Sequence, residues 1–238
     1  MPGDDLVVDR ILELFDEVHG HEPDDPTEGL RERKKRRLRQ RISDVATAMF
    51  LVEGFEHVTV ARIAAACEVS EQTVFNYFPT KESMFLDRSD AMIEAVADAV
   101  RDRGNGPLGD AVARALTGVT FDVSWGAVDR DQLLHLFRLF GEAATGSPAL
   151  AAARAADFER FTDAVSAALA ERVGAQPGDP EVQLVTMVIA AIARIRLNAG
   201  FHHVHHVASL DDLAGLVQED LDRAVRLAEP TLSAFDAR

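Results

Sequence analysis

The chain is predicted to be all-α, and two observations predict it. Apolar residues recur at three- and four-residue spacing through nearly the whole length. No segment shows the strict alternation of a half-buried strand, and aromatic residues, which favour strands, make up only 6% of the chain and are mostly Phe. With 238 residues, the chain is long enough for one large domain or two small ones around a substantial core.

The elements follow in order. Val7, Ile11, Leu14, Phe15 and Val18 keep helical spacing and give an acidic amphipathic helix ending near Gly20, followed by the polar linker HEPDDPTEG. A basic run then enters a helix with Ile42, Val45, Ala46, Met49 and Phe50 on one stripe, closed by Gly54. Thr59 is an N-cap for a short helix bearing Val60, Ile63, Ala64 and Cys67, and Ser70 caps the next. Thr80, after Pro79, caps a long helix expected to run to Gly104. Five more helices are expected at about 109–123, 130–144, 148–173, 181–207 and 210–228, separated by the turn-rich breaks GNGP, WGAV, TGSP and GAQPGDP. There is no internal repeat.

Cys67 is the only cysteine, which excludes an intramolecular disulfide and a multi-cysteine metal site and fits a cytoplasmic location. The opening residues are acidic and lack a long apolar run, so no signal peptide is expected. The longest apolar stretch, 184–193, is too short to span a bilayer, and a soluble protein with no membrane partner is expected.

The net charge is −15, but its distribution is more informative. Residues 1–30 hold one Arg against ten acids, whereas residues 31–90 hold eleven Lys and Arg against nine acids. Arg31, Arg33, Lys34, Lys35, Arg36, Arg37, Arg39 and Arg41 are offset locally only by Glu32. The run reads either as a solvated helix face or as a phosphate-binding arm.

Residues 69–81, VSEQTVFNYFPTK, are uncharged over most of their length. With Ser70 as N-cap, each residue advances about 100° around the axis. Val74 and Phe78 then face a core, while Gln72 stacks on Asn76 and Thr73 on Tyr77 on the outer side. Amides pair bidentately with adenine N6 and N7, and Thr or Tyr reaches phosphates or a thymine methyl. The short helix, the turn and this helix together read as a helix-turn-helix whose second member enters the major groove. Beside a basic arm, four such residues point to DNA rather than to an inert polar surface.

The stretch from about 41 to 86, above all GFEHVTVARIAAACEVSEQTVFNYFPTKESMF, resembles the N-terminal domain of the tetracycline-repressor (TetR) family of bacterial regulators. The features that carry it are Gly54-Phe55, Thr59, Ile63-Ala64, Val69-Ser70, Thr73, Phe78-Pro79 and Lys81-Glu82. The remainder resembles the family only in comprising five further helices of suitable length. The resemblance implies that Thr59, Thr73 and Lys81 hold phosphates, that Gln72, Asn76 and Glu71 read base edges, and that Tyr77 meets backbone or a thymine methyl. Arg36, Arg37 and Arg41 of the basic run join them as DNA contacts. Two positions depart from the family pattern. Phe75 stands where Tyr is usual, which removes a phosphate hydrogen bond, and Glu68 stands where the turn usually has Gly. A non-Gly residue at positive φ costs about 1 kcal/mol, so the turn is either strained or differently built.

Three parts are expected: an acidic extension over 1–30, read from its charge, and, as the resemblance implies, a DNA-binding domain over 31–85 and an effector-binding and dimerisation domain over 86–238. The resemblance also implies a homodimer through the last two helices, a pseudo-palindromic double-stranded operator, and release by a small-molecule effector. Phe121, Trp125, Phe137, Phe140, Phe158, Phe161 and Met187 either line a cavity or are plain core. Arg194 and Arg196 interrupt an apolar helix, where they receive an acidic head group, pair with Glu142, or sit at a dimer rim. His202, His205 and His206 share a helical face at metal-ligand spacing, or form an ordinary polar helix end. The acidic N-terminal helix is an added packing element, a consequence of a misplaced start, or a competitor of DNA for the basic arm. No phosphate loop, nucleophile elbow or carboxylate–histidine cluster suggests an enzyme, and no cofactor is expected. An effector-independent architectural or partner-controlled DNA-binding protein, and a metal-responsive regulator using the cluster at His202–His206, remain the alternatives.

Overall fold

The computed structural model describes residues 2–19, 29–102, 104, 106–120 and 129–237. Among them there are helices and turns and no strand. The chain forms two compact units: one of residues 1–87 with 124–153, the other of 88–123 with 154–238. The units are therefore not contiguous in sequence, and residues 124–153 group with the first rather than with the C-terminal part expected to begin at 86.

The first unit begins with α1 (Pro2–His19), which packs on α2 (Leu30–Glu53). Ile11 and Leu14 of α1 are buried, while Asp9, Glu13, Asp16 and Glu17 are exposed, as expected of an amphipathic helix. The linker between them lies outside the described residues, apart from Gly29. The apolar stripe of α2, including Ile42, Val45, Ala46 and Phe50, is buried. Gly54 ends the helix at φ 87°, a conformation open to glycine, and a 3-10 turn follows over Phe55–His57. Next come α3 (Val60–Ala66) and α4 (Glu71–Tyr77), then α5 (Lys81–Phe85).

The helix expected to run from Thr80 to Gly104 is two helices. After α5 the chain turns through 86–88, and α6 (Ser89–Arg101) begins in the second unit. No Gly or Pro marks this break. The side chain of Asp87 is drawn instead into an ion pair with Arg39 of α2. α8 (Arg130–Gly146), whose sequence lies far downstream, joins the first unit through contact with α2. Phe140 stacks on Phe85 at 4.3 Å, and Phe50, Phe55 and Phe85 meet within 6.5 Å of one another. These rings knit α2, the 3-10 turn, α5 and α8 into one core.

The second unit contains α6, α7 (Leu108–Thr120), α9 (Pro148–Val173) from Arg154 onward, α10 (Pro180–His203) and α11 (Leu210–Asp236). Its core gathers Val96, Leu116, Phe161, Leu169, Ile189 and Leu221 from these five helices. Two helix ends differ from expectation, those of α10 and α11. α7 is described to Thr120, and residues 121–128 lie outside the described set. α10 stops at His203 rather than near Val207. α11 continues through Pro230 to Asp236 instead of ending near Ala228. Proline inside a helix removes one hydrogen bond and costs about 3 kcal/mol. Burial of Leu232 and Phe235, and the Arg172–Asp236 ion pair, offset that cost.

α10 is longer than its apolar stretch 184–193, and by length and composition alone it is sufficient to cross a bilayer; 44% of its most apolar window is buried. Val182, Val185, Ile189 and Ile192 are buried within the unit, where α10 packs along α11. Its opposite side exposes Leu184, Met187 and Ile195.

Candidate nucleic-acid interface

The helix-turn-helix is built by two side-chain caps and an unusual turn. Thr59 accepts a hydrogen bond from the backbone N–H of Arg62, which starts α3. At the other end, the N–H of Val69 donates to the carbonyl of Ala64 and that of Glu68 to Ala65. This pair of bonds is a Schellman motif, and it puts Glu68 at its left-handed position with φ 58°. Glu68 is the only non-glycine residue at positive φ among the described residues, so the turn keeps its glycine-type geometry with a glutamate in it.

Ser70 then starts α4. Its Oγ accepts from the N–H of Thr73 at 3.1 Å and lies 2.8 Å from the Thr73 hydroxyl. Val74 and Phe78 are fully buried, which fixes the rotation of the helix. Glu71, Gln72 and Asn76 are exposed, and Thr73 and Tyr77 are half-buried. The Gln72 amide donates to the Asn76 Oδ1 at 3.2 Å, so the two amides form one hydrogen-bonded pair on the outer face. Phe75, 44% exposed, adds an aromatic ring to the helix surface.

Around this pair the basic residues divide. Arg36, Arg37 and Arg41 lie exposed on α2. Arg36 and Arg37 are both engaged in interactions of their own. Arg39 is committed inward, with its guanidinium 4.4 Å over the Phe78 ring and paired to Asp87. Arg62 forms a two-point ion pair with Glu53 at 2.5 and 2.9 Å. Lys81 sits at the start of α5, where its Nζ donates to the carbonyls of Phe55 and Val58. Sequence reasoning missed these internal roles of Arg39 and Lys81 because both depend on partners distant in the chain. Burial holds the Cys67 thiol above its usual pKa, beneath the turn.

The residues considered for a ligand pocket are divided between the two units. Phe121 and Trp125 lie outside the described residues. Phe137 and Phe140 belong to the first unit, where Phe140 is occupied in stacking on Phe85. Phe161 is core of the second unit and Phe158 packs beside it. Met187 is 54% exposed, because the buried stripe of α10 runs through Val185 and Ile189 and turns it outward. Arg194 lies with its guanidinium 5.7 Å from the Phe158 ring. Arg196, by contrast, is buried, and desolvation lowers its pKa to about 10.

Of the two readings of His202, His205 and His206, the shared helical face does not form. α10 ends at His203, so His205 and His206 lie beyond it in a turn, with the ring of His206 6.1 Å from that of His202. His203 pairs with Asp220 of α11 at 2.8 Å. Among the described residues no three His, Cys, Asp or Glu side chains gather as a metal site.

A capped helix-turn-helix with an amide pair on its outer face, beside a strongly basic helix, defines a DNA-binding regulator. Residues 42–87 match the profile of bacterial regulatory proteins of the tetR family, and residues 142–232 match that of the MftR C-terminal domain. The HTH-type transcriptional regulator TcmR of Streptomyces glaucescens is 32% identical over 176 residues, covering 70% of this chain and 74% of that protein. Among solved structures, a TetR-family regulator from Streptomyces coelicolor A3 is similar over 90% of this chain and 100% of its own, at 21% identity and a TM-score of 0.49. Thermus thermophilus FadR, a TetR-family repressor in complex with lauroyl-CoA, is similar over 79% and 92%, at 24% identity and a TM-score of 0.44. The chain belongs to the TetR family of transcriptional regulators.

Proposed function

We propose that the protein is a cytoplasmic repressor that binds a pseudo-palindromic operator as a homodimer and is released by a small-molecule effector. The observation that carries the DNA part is the Gln72–Asn76 amide pair on the outer face of α4. An amide pair without positive charge, beside a basic arm, separates base discrimination from phosphate attraction. Residues 31–85 would supply this function and 86–238 the effector response and dimerisation, with 1–30 as an acidic extension.

Dimerisation through α10 and α11 is supported by their exposed apolar side chains. Leu184 and Ile195 on α10 and Leu227 on α11 are 58%, 44% and 77% exposed. Large apolar residues left on two neighbouring helices suit a four-helix arrangement with a second copy. Two recognition helices related by a two-fold axis then meet half-sites about one helical turn apart or a little more.

Sedimentation at micromolar concentration, with sequencing of DNA fragments retained by the protein, tests this reading. A dimer enriching an inverted repeat is expected. A monomer that holds a single half-site tightly would sink it.

A further inference from the structure

Phe75 is the apolar residue of α4 that the core does not take. Val74 and Phe78 are fully buried and set the rotation of the helix, and the residue after Val74 is turned about 100° away from that core. Its ring is accordingly 44% exposed, more than any other phenylalanine among the described residues. The residues one turn back on the same helix, Glu71 and Gln72, are exposed as well and end in a carboxylate and an amide, so neither gives the ring an apolar cover. Gln72 lies three residues before Phe75 and Asn76 directly after it, which sets the ring beside the hydrogen-bonded amide pair. We propose that Phe75 is a specificity-determining residue, packing against the 5-methyl group of a thymine next to the base pair met by Gln72 and Asn76.

The chemistry of the side chain selects the partner. Phenylalanine has no donor, no acceptor and no charge, so Phe75 neither holds a phosphate nor reads a base edge by hydrogen bonding. What it gains on contact is the removal of apolar surface from water. In the major groove a base pair offers one apolar group for this, the thymine methyl. Against cytosine the ring would instead press on the N4 amino group and strip it of water without replacing the lost hydrogen bond. The ring therefore favours thymine over cytosine, and the neighbouring amides favour adenine, so the centre of each half-site is A·T.

The contact rests on the reading of α4 as the helix that meets operator DNA. It adds to that reading a base preference that comes from shape and apolarity and involves no counterion release, so it is independent of salt.

A duplex selected by the full-length protein from a random-sequence pool, and resynthesised with each thymine in turn replaced by deoxyuridine, tests the contact by fluorescence anisotropy. Deoxyuridine removes the methyl and keeps every hydrogen-bonding group of the base. At one thymine in each half-site the replacement should weaken binding by the parent protein about fourfold, the worth of one buried methyl. Phe75→Ala should lose at least as much on the unmodified duplex, keep its affinity for scrambled DNA, and show no further loss when that thymine is replaced. Phe75→Leu, still apolar, should keep part of the sensitivity. Indifference of the parent protein to every replacement, which needs no variant to observe, would overturn the contact. So would losses that all persist in Phe75→Ala; either result leaves the protein a sequence-specific DNA binder. A pool that yields no preferred duplex would overturn the operator reading itself, and the thymine contact with it.

Discussion

Lys81 lies over the ring of Phe55, its Nζ 4.1 Å from the centroid, and donates a 2.8 Å hydrogen bond to the carbonyl of the same residue. A second bond, to the carbonyl of Val58, ties α5 to both ends of the 3-10 turn that leads into α3. The residue expected to hold a phosphate is therefore also a clamp on the scaffold of the helix-turn-helix.

Lys81→Ala should accordingly lose stability as well as DNA affinity. Charge-assisted hydrogen bonds and a cation–π contact together suggest a loss of about 1–3 kcal/mol. On DNA, cognate and random affinity should fall together, and the slope of log affinity against log salt should shrink by about one. Lys81→Arg should keep the slope while losing part of the stability, because its fork does not fit two carbonyls approached by one ammonium. Chemical denaturation and salt-dependent anisotropy titrations separate the two effects; unchanged stability in Lys81→Ala would show that the clamp contributes nothing.

The turn makes a second prediction. Glu68 occupies the left-handed position of the Schellman motif at φ 58°, where a Cβ is unfavourable by about 1 kcal/mol and Gly is not. Glu68→Gly should stabilise the protein by a few tenths to about 1 kcal/mol, less than the full relief because glycine also loosens the unfolded chain. DNA affinity should be unaffected by strain, since the backbone path is already that of the glycine turn. A lower denaturation midpoint for Glu68→Gly would contradict this.

The caps at Thr59 and Ser70, the burial of Val74 and Phe78, and the outer pairing of Gln72 with Asn76 were legible in the sequence because each depends on residues three or four apart. What was not legible depends on long-range partners. The break at 86–88 has no Gly or Pro, and its Asp87 pairs with Arg39, far back in the sequence. Continuation of α11 past Pro230 follows from Leu232 and Phe235 finding the core and Asp236 finding Arg172. Likewise, Phe140 read as a pocket candidate because nothing local says that it meets Phe85, 55 residues earlier.

The acidic α1 supplies a third prediction. It packs on the helix that carries the basic arm, and buries Ile11 and Leu14 to do so. Deleting residues 1–28 would therefore expose apolar surface as well as remove charge, and neutralisation is the cleaner change. Replacing Asp9, Glu13, Asp16 and Glu17, all exposed, by their amides should tighten DNA binding. The gain should be largest at low salt, where the Debye length is about 30 Å at 0.01 M, and fade toward physiological salt. Equal affinity of the quadruple variant and the parent at 0.01 M salt would make α1 a packing element and nothing more.

The last prediction distinguishes reading bases from holding phosphates. Gln72 and Asn76 are exposed, uncharged, and joined by a 3.2 Å hydrogen bond that orients both amides before any contact with DNA. Preorganised amides add discrimination through base edges and little attraction for phosphate, since they release no counterions. Asn76→Ala should therefore weaken binding to the cognate operator by about 1–3 kcal/mol and barely change affinity for random DNA or the salt slope. Because the mutation also removes the acceptor that orients Gln72, Gln72→Ala and the double variant should not be additive with it. Titrations of the three variants on operator and scrambled duplexes, at several salt concentrations, decide the matter. Were Asn76→Ala to lose cognate and random binding equally, the outer face of α4 would be a backbone clamp, and sequence reading would have to lie elsewhere in the protein.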